Sequence, residues 1–405
     1  MKSILLLSIF LIFVFNNEYA NANRNSLKLP IYTKQASNHI NNNFNDLASN
    51  KRMVSTKERN VPIKLEGDII QLLIDVNVGG IKQQVVVDTG SNYLVVPSVY
   101  CRNCEQQRPY YQPSKYATFM KCNDECSIMG NSCTNVQTLA GIELFCSYQE
   151  SYVQGTEILN LLVQDTFSFN NYTENVMATF GIIVTTQGHT LRNGVLGLGK
   201  TCRGCRKSPT ASILENLNLS NSFSLSFNEN FQGTLVLGDA DPSDFDKNLT
   251  FTEMLTIDDS HYGVPIKSII VNDRYSPNYM LIPPEYFGDF ILDSGATMTS
   301  LNEPAYNLIA KFLQRDCNPG MCHENNFFNG YCFDFPDEYF NTFPIINIEM
   351  EGGASMKIEP KNYIFSNYVN GIKYHCLDHY VHFDNENEKI GIAKRPYGYS
   401  YNNNF

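Results

Sequence analysis

One short pattern occurs twice in this chain and constrains everything else: Asp88-Thr89-Gly90 and Asp293-Ser294-Gly295. Each follows an apolar run, Val85-Val86-Val87 before the first and Phe290-Ile291-Leu292 before the second. Such a run reads as a buried strand, and the Gly permits a tight turn, so each copy delivers a carboxylate at a strand end. A single Asp-[Thr/Ser]-Gly says little, because ordinary composition produces it by chance. The same strand context repeated 205 residues later is a duplicated device.

Chemistry explains the use of two. Two carboxylates within hydrogen-bond distance cannot both ionise, so they share one proton over a wide acid range. The ionised partner can draw a proton from a water between them, while the protonated one donates to a carbonyl oxygen under attack. The reading asks for no metal and no cofactor.

At 405 residues the chain is long for one core, and the length favours two domains, as the duplication does. A net charge of -11 argues against nucleic acid as a partner. Residues 1–22 read as a secretory signal: Lys2, an apolar run from Ile4 to Phe15, then Ala20-Asn21-Ala22. The run is too short to span a bilayer, so no membrane anchor is expected, and the mature protein belongs in the secreted, vacuolar or lysosomal space. Residues 23–64 hold eight basic and two acidic residues ahead of an acidic body. Such a leader suits a self-inhibiting propeptide that covers an acidic cleft and lets go when carboxylates protonate; a solvated tail explains the charge equally well. Residues 65–240 and 241–405 are then the two lobes.

Twelve cysteines, an even number, fit an oxidising compartment. Disulfides within each half are the default over zinc or redox chemistry at Cys101/Cys104 and Cys202/Cys205, and the pairing is left open. Cys101 to Cys146 shows little periodicity and reads as a stapled surface excursion. Elsewhere strand patterns dominate: Ile69 to Val78, Gln84 to Val87, a strand from Ser91 ended by Pro97-Ser98, Ile158 to Phe169, Asn193 to Gly199, two strands within Phe223 to Gly238, and Tyr262 to Val271. Asn302-Glu303-Pro304 opens a short helix, Ala305 to Leu313. The fold class is all-β. Ser91 lies close enough to give its hydroxyl to Asp88. Asn171, Asn218 and Asn248 are glycosylation candidates.

With these residues assembled, the sequence resembles the pepsin-like aspartic proteases over nearly all of the chain after the leader. The matching stretches are Val85 to Ser98, Gly194 to Gly199, Phe223 to Asp241, Ile291 to Leu301 and Tyr380 to Ala393. The Cys-rich excursion looks like the insert of nepenthesin and plasmepsin V type members. The resemblance implies a bilobal all-β fold with a pseudo-two-fold axis and a cleft for an extended peptide, in a monomer. It implies Asp88 and Asp293 as the catalytic pair, Thr89 and Ser294 locking the two loops, and Gly90, Ser91, Gly295 and Thr297 in support. It implies a flap over the cleft carrying Tyr148, with Tyr152 as the alternative.

Three positions depart from the family pattern. Val95 stands where a Trp is usual, and the chain has no Trp. Ala296 stands where many members have a hydroxyl, which should raise the proton affinity of the pair. Each lobe of the family also has an apolar-apolar-Gly strand beside its catalytic loop. Val195-Leu196-Gly197 is the first; the second should lie between Cys376 and Tyr380, where only Leu377, Asp378 and His379 stand. The Asp293 strand is therefore expected to lack its neighbour. The expected activity is an aspartic endopeptidase made as a zymogen. The rivals are a silent peptide-binding protein on the same fold and a cysteine-rich adhesive ectodomain.

Overall fold

The computed structural model describes residues 5–8, 26–33 and 63–64 and, with internal gaps that include 189–192, 201–207, 297–300, 316–330 and 374–378, residues 72–394. The strands used below are β1 (Leu5–Ser8), β2 (Ser26–Thr33), β3 (Leu72–Val78), β4 (Ile81–Asp88) and β5 (Leu94–Arg102). They continue with β6 (Ser132–Thr138), β7 (Gly141–Ser151), β8 (Glu157–Ser168), β9 (Val176–Gln187) and β10 (Gly194–Gly197). Next come β11 (Ser222–Phe227), β12 (Gly233–Gly238), β13 (Gly263–Val264) and β14 (Phe290–Asp293). Two helices matter, α1 (Pro209–Asn216) and α2 (Glu303–Gln314). The architecture is all-β, as expected.

A long sheet runs β11-β12-β2-β3-β4-β10-β5-β9-β8-β7-β6, and His379–Asp384, Lys389–Lys394 and Asp246–Glu253 extend it beyond β11. Strands from the end of the chain therefore share a sheet with strands from its first half. Leader residues take part: β2 pairs with β12 from Ser26↔Gly238 to Ile31↔Gly233, and with β3 through Tyr32 and Thr33. A smaller sheet, Tyr279–Ile282, Ile266–Asn272, Ile345–Met350 and Ser355–Ile358, underlies the second half.

Alternation sorts the first catalytic strand between two cores. Val85 and Val87 enter the main cluster, while Val86 faces a second one with Val95, Tyr148, Ile158, Ile183 and Val195. A side chain buried as fully as Val87 contributes about 1.5–3 kcal/mol. The β3–β4 hairpin turns at Gly79, whose φ is +61° and where a Cβ would lie 2.8 Å from the Tyr111 ring. Asp165, fully buried nearby, accepts from Tyr111 Oη at 2.9 Å, Ser114 N at 3.0 Å, Ser114 Oγ and Thr166 N at 2.7 Å. Burial raises the proton affinity of Asp165, but these donors overrule it and hold the carboxyl below the usual range.

Several expectations are corrected. β5 runs through Pro97 to Arg102 because the β9 neighbour is parallel there, with Ile183 opposite Pro97, and the proline carbonyl accepts from Tyr111 N at 2.9 Å. The Tyr262 to Val271 strand is broken at Pro265 into β13 and Ile266–Asn272. The cysteine-rich stretch is not all surface: Cys126 and Cys146 are fully buried, and β6 and β7 form a hairpin that continues the sheet. β6 hid from the pattern because, at the sheet edge, neither of its faces is buried. The helix forms as expected, and Asn302 Oδ1 caps it by accepting from Ala305 N at 3.3 Å.

The expectation that the Asp293 strand lacks its neighbour is also overturned. β10 pairs parallel with β4, Gly194↔Val85 through Gly197↔Asp88. β1 pairs parallel with β14 in the same register, Leu5↔Phe290 through Ser8↔Asp293. Unpaired backbone groups on a strand edge accept any extended segment that reaches them, and here residues near the N-terminus do so. Residues 374–378, where the family strand would begin, lie outside the described residues.

Candidate active site

The two motif loops meet and bind each other. Thr89 N donates to Ser294 Oγ at 3.0 Å, and Ser294 N donates to Thr89 Oγ1 at 2.9 Å. Each hydroxyl then donates across the interface to the carbonyl before the other Asp, Thr89 Oγ1 to Leu292 O at 2.9 Å and Ser294 Oγ to Val87 O at 2.8 Å. Thr89 and Ser294 are both buried. Four bonds related by a two-fold exchange join loops 205 residues apart, so the position of one carboxylate dictates that of the other.

Glycine is required at both loop tips. A Cβ on Gly90 would lie 2.6 Å from the carboxyl carbon of Asp293, and one on Gly295 would lie 2.5 Å from that of Asp88. Each carboxyl thus lies over the opposite loop's glycine, close enough to the other for each to act on the other's proton.

Their surroundings differ. Asp88 is buried and accepts from Gly90 N at 2.8 Å on Oδ1 and from the Ser91 hydroxyl at 2.7 Å on Oδ2. Among the described residues Asp293 Oδ1 accepts from the backbone N–H groups of Gly295 at 2.8 Å and Ala296 at 3.2 Å. Burial, then the charge of Asp88 and the hydrogen bond to it, push the Asp293 carboxyl far above the usual carboxylate range, against the pull of those two N–H groups. Asp293 therefore keeps a proton to higher pH than an isolated carboxyl does.

Glu150 at the end of β7 and Tyr152 just after it lie near enough to feel the charge of Asp88. Tyr152 Oη donates to Glu150 Oε2 at 3.2 Å, and a turn closed by Gly155 N to Tyr152 O at 2.8 Å leads back into β8. Burial and then the Asp88 charge raise the Glu150 carboxyl to about 7, while the Tyr152 hydroxyl pulls it down. Burial and the charges of Glu150 and Asp88 likewise raise the Tyr152 hydroxyl. Both side chains feel Asp88 directly.

Tyr148 sits deeper. It is buried in the second cluster, its ring centroid 4.7 Å from that of Tyr93. The ring reaches Gly181, where a Cβ would come within 3.0 Å of Tyr148 Cζ. The Tyr148 hydroxyl has no hydrogen-bond partner among the described residues. Tyr93 stacks on Tyr148 in the cluster that also holds the small Val95.

Thr297 and Asn171 lie outside the described residues. Asn218 is exposed two residues beyond α1 with φ +54°, and Asn248 lies in the Asp246–Glu253 strand. Disulfides join Cys101–Cys104, Cys122–Cys133 and Cys126–Cys146. The sulfurs of Cys122, Cys126 and Cys133 cluster closely, but these bonds consume them. Glu150 was not singled out from the sequence, although two-residue spacing from Tyr152 at a strand end put the two on one side.

An all-β chain whose two Asp-bearing loops lock together through their hydroxyls has the architecture of the pepsin-like aspartic proteases. The comparisons agree, for the eukaryotic aspartyl protease family profile matches residues 71–390, and the chain belongs to that family. It is 24% identical over 310 residues to aspartic proteinase 36 of Arabidopsis thaliana, covering 70% of this chain and 60% of the relative. It is 23% identical over 282 residues to aspartic proteinase nepenthesin-2 of Nepenthes gracilis, covering 66% and 61%. Plasmepsin V of Plasmodium falciparum is 26% identical over 125 residues, 29% of this chain and 20% of the relative. The chain thus spans less than two thirds of the length of the relatives it matches. Among the described residues no helix is long and apolar enough to cross a membrane.

Proposed function

We propose that the protein is an aspartic endopeptidase that hydrolyses peptide bonds with a water activated between Asp88 and Asp293. The observation that carries this reading is the four-bond lock of the two motif loops, which lays each carboxyl over the opposite loop's glycine. Asp88, supplied with donors by Gly90 and Ser91, acts as the base that takes a proton from the water. Asp293 carries the shared proton and gives it to the substrate carbonyl oxygen, so the tetrahedral intermediate forms without free oxyanion. On collapse the C–N bond breaks, Asp88 gives the proton it took to the leaving amine, and Asp293 takes a proton back from a hydroxyl of the intermediate as the C=O re-forms. Tyr152, rather than Tyr148, is the flap tyrosine that closes over the substrate, since Tyr148 is buried against Tyr93 while the less buried Tyr152 feels the Asp88 charge.

The rest of the reading concerns the life of the chain. Residues 1–22 act as a signal for the secretory pathway, whose removal takes β1 away from β14, and residues 23–64 as a propeptide that inhibits its own cleft, in a soluble, glycosylated monomer. The pairing of β2 with β12 and β3 supports a leader that folds with the body. The intact pair and the loop lock speak against a silent binding groove on this fold.

Purified chain is expected to cleave a denatured protein between about pH 4 and 6.5, with pepstatin blocking it. Asp88→Ala and Asp293→Ala should each lower turnover by about 10³-fold or more. Undiminished cleavage by both variants would sink the mechanism.

A further inference from the structure

The two edges of β14 are covered from different parts of the chain. One pairs antiparallel with β13, Gly263↔Ile291 and Val264↔Phe290, within the body of the protein. The other pairs parallel with β1, from Leu5↔Phe290 to Ser8↔Asp293. β1 lies inside residues 1–22, the segment read as a secretory signal, so the cut that releases the mature chain also uncovers this edge. Phe290, Ile291 and Leu292 are all buried with β1 in place.

Among the described residues no strand of the body stands in reserve. Those after β14 are engaged elsewhere: Ile345–Met350 and Ser355–Ile358 in the smaller sheet, His379–Asp384 and Lys389–Lys394 in the long one, Ser366–Tyr368 with Gly371–Lys373, and Tyr331–Cys332 with Ile63–Lys64. Between Cys376 and His379, where a strand of the long sheet begins, stand only Leu377 and Asp378, too few to repeat the pairing that β1 makes. A bare edge of this kind is a template for any strand that reaches it.

The two parallel registers say which strand fits. Opposite Val86 and Ile291 stand Val195 and Leu6; opposite Val87 and Leu292, Leu196 and Leu7; opposite the two aspartates, Gly197 and Ser8. Both seated strands are uncharged and read aliphatic, aliphatic, small, with the small residue at the Asp position. β10 then continues into Leu198, whose N–H donates to Asp88 O at 2.7 Å. A strand seated on β14 and running one residue further carries an N–H to the matching place at Asp293.

We propose that the mature protein is completed in trans: the edge of β14 docks an extended segment of a separate polypeptide, two aliphatic residues followed by a small one, laid parallel to Phe290–Asp293. The proposal rests on the signal reading and not on the catalytic one. Main-chain hydrogen bonds supply the affinity and the aliphatic pair the selectivity, the mode by which extended peptides add to exposed sheet edges. A charge at either aliphatic position would be buried without a partner, so such a strand is rejected.

The test uses the chain begun at residue 23 and two synthetic probes, the peptides of residues 2–10 and 193–199, each made soluble by lysines added before it. Either probe should slow amide exchange at Phe290–Asp293 by about 10-fold or more and leave Val85–Asp88 unchanged. Leu6→Asp in the first probe should weaken binding by about 10–100-fold. An edge protected before any probe is added, because another segment of the chain covers it, overturns the proposal, and so does a Leu6→Asp probe that works as well as the parent. Should the shortened chain fail to fold alone, refolding with the probes is the readout. Recovery of soluble chain with the parent peptide but not with Leu6→Asp supports the docking site, and recovery with neither overturns it. The mass of the secreted chain keeps the two readings apart. If Leu5–Ser8 stay attached, the edge is never free and both readings fail; if they are lost and no probe protects β14, the docking site alone fails.

Discussion

The two aspartates end strands that are built alike and held differently. β4 and β14 each have an antiparallel partner on one side and a parallel strand on the other, and the parallel registers coincide position for position. Beside Asp88 the parallel strand is β10, which also pairs with β5, and Leu198 N beyond it donates to Asp88 O at 2.7 Å. Beside Asp293 it is β1, from the other end of the chain. Around the carboxylates the likeness ends. Asp88 has the Ser91 hydroxyl, whereas at the matching place Ala296 offers Asp293 only a backbone N–H. Duplicated backbone geometry thus brings two acids together, and burial with an uneven supply of donors makes them unequal.

The strongest way to break this comparison is to cut the lock the two motif loops share. Ser294→Ala removes the acceptor of Thr89 N and the donor to Val87 O, and Thr89→Val removes the mirror pair. Each variant should lose about 2–4 kcal/mol in urea unfolding, at roughly 1–3 kcal/mol per buried group left unpaired. The double variant should lose less than the sum, because both act on one network. Full additivity would show that the loops are held independently.

Restoring the absent hydroxyl sharpens the comparison. Ala296→Ser should stabilise ionised Asp293 and move the alkaline limb of the pH profile about one unit toward acid, equivalent to about 1.4 kcal/mol. Stability follows with a definite sign. The Asp293 proton affinity is raised by folding, so the group costs nothing below the unfolded carboxylate range and destabilises increasingly as pH rises above it. Asp165 has the opposite sign: its contribution is present above that range and lost in stronger acid. The thermal midpoint should therefore fall from about pH 4 toward neutrality, and Ala296→Ser should flatten that fall.

The smallest effect probes the outer strands. A chain begun at residue 23 removes β1 and leaves β10 untouched. Amide exchange should then quicken at Phe290–Asp293 and stay unchanged at Val85–Asp88. Equal protection in both chains would show that β14 does not depend on the leader.

Much of the site could be read without coordinates because it is local. Val85 to Gly90 and Phe290 to Gly295 each spell a buried strand and a glycine turn, and Ser91 is three residues from the carboxylate it serves. The α2 cap at Asn302 and the β11–β12 pair were legible for the same reason. Tyr148 and Tyr152 were not separable, since both precede the same turn and only packing put Tyr148 on Tyr93 and Tyr152 beside Glu150. Neither could spacing choose among the pairings of eight cysteines in the first half, because connectivity depends on which strands lie side by side.

The amino-acid order by itself determined that two acids would be presented at strand ends, on turns open enough for a second loop to approach. Periodicity and glycine placement act within a few residues, and that range suffices for such a result. Tertiary structure alone decided that the acids meet, which one keeps the proton, and which strand flanks each. Those outcomes depend on burial, on charges brought near through space and on backbone edges that accept any partner of extended shape, none of which is written in the neighbouring residues.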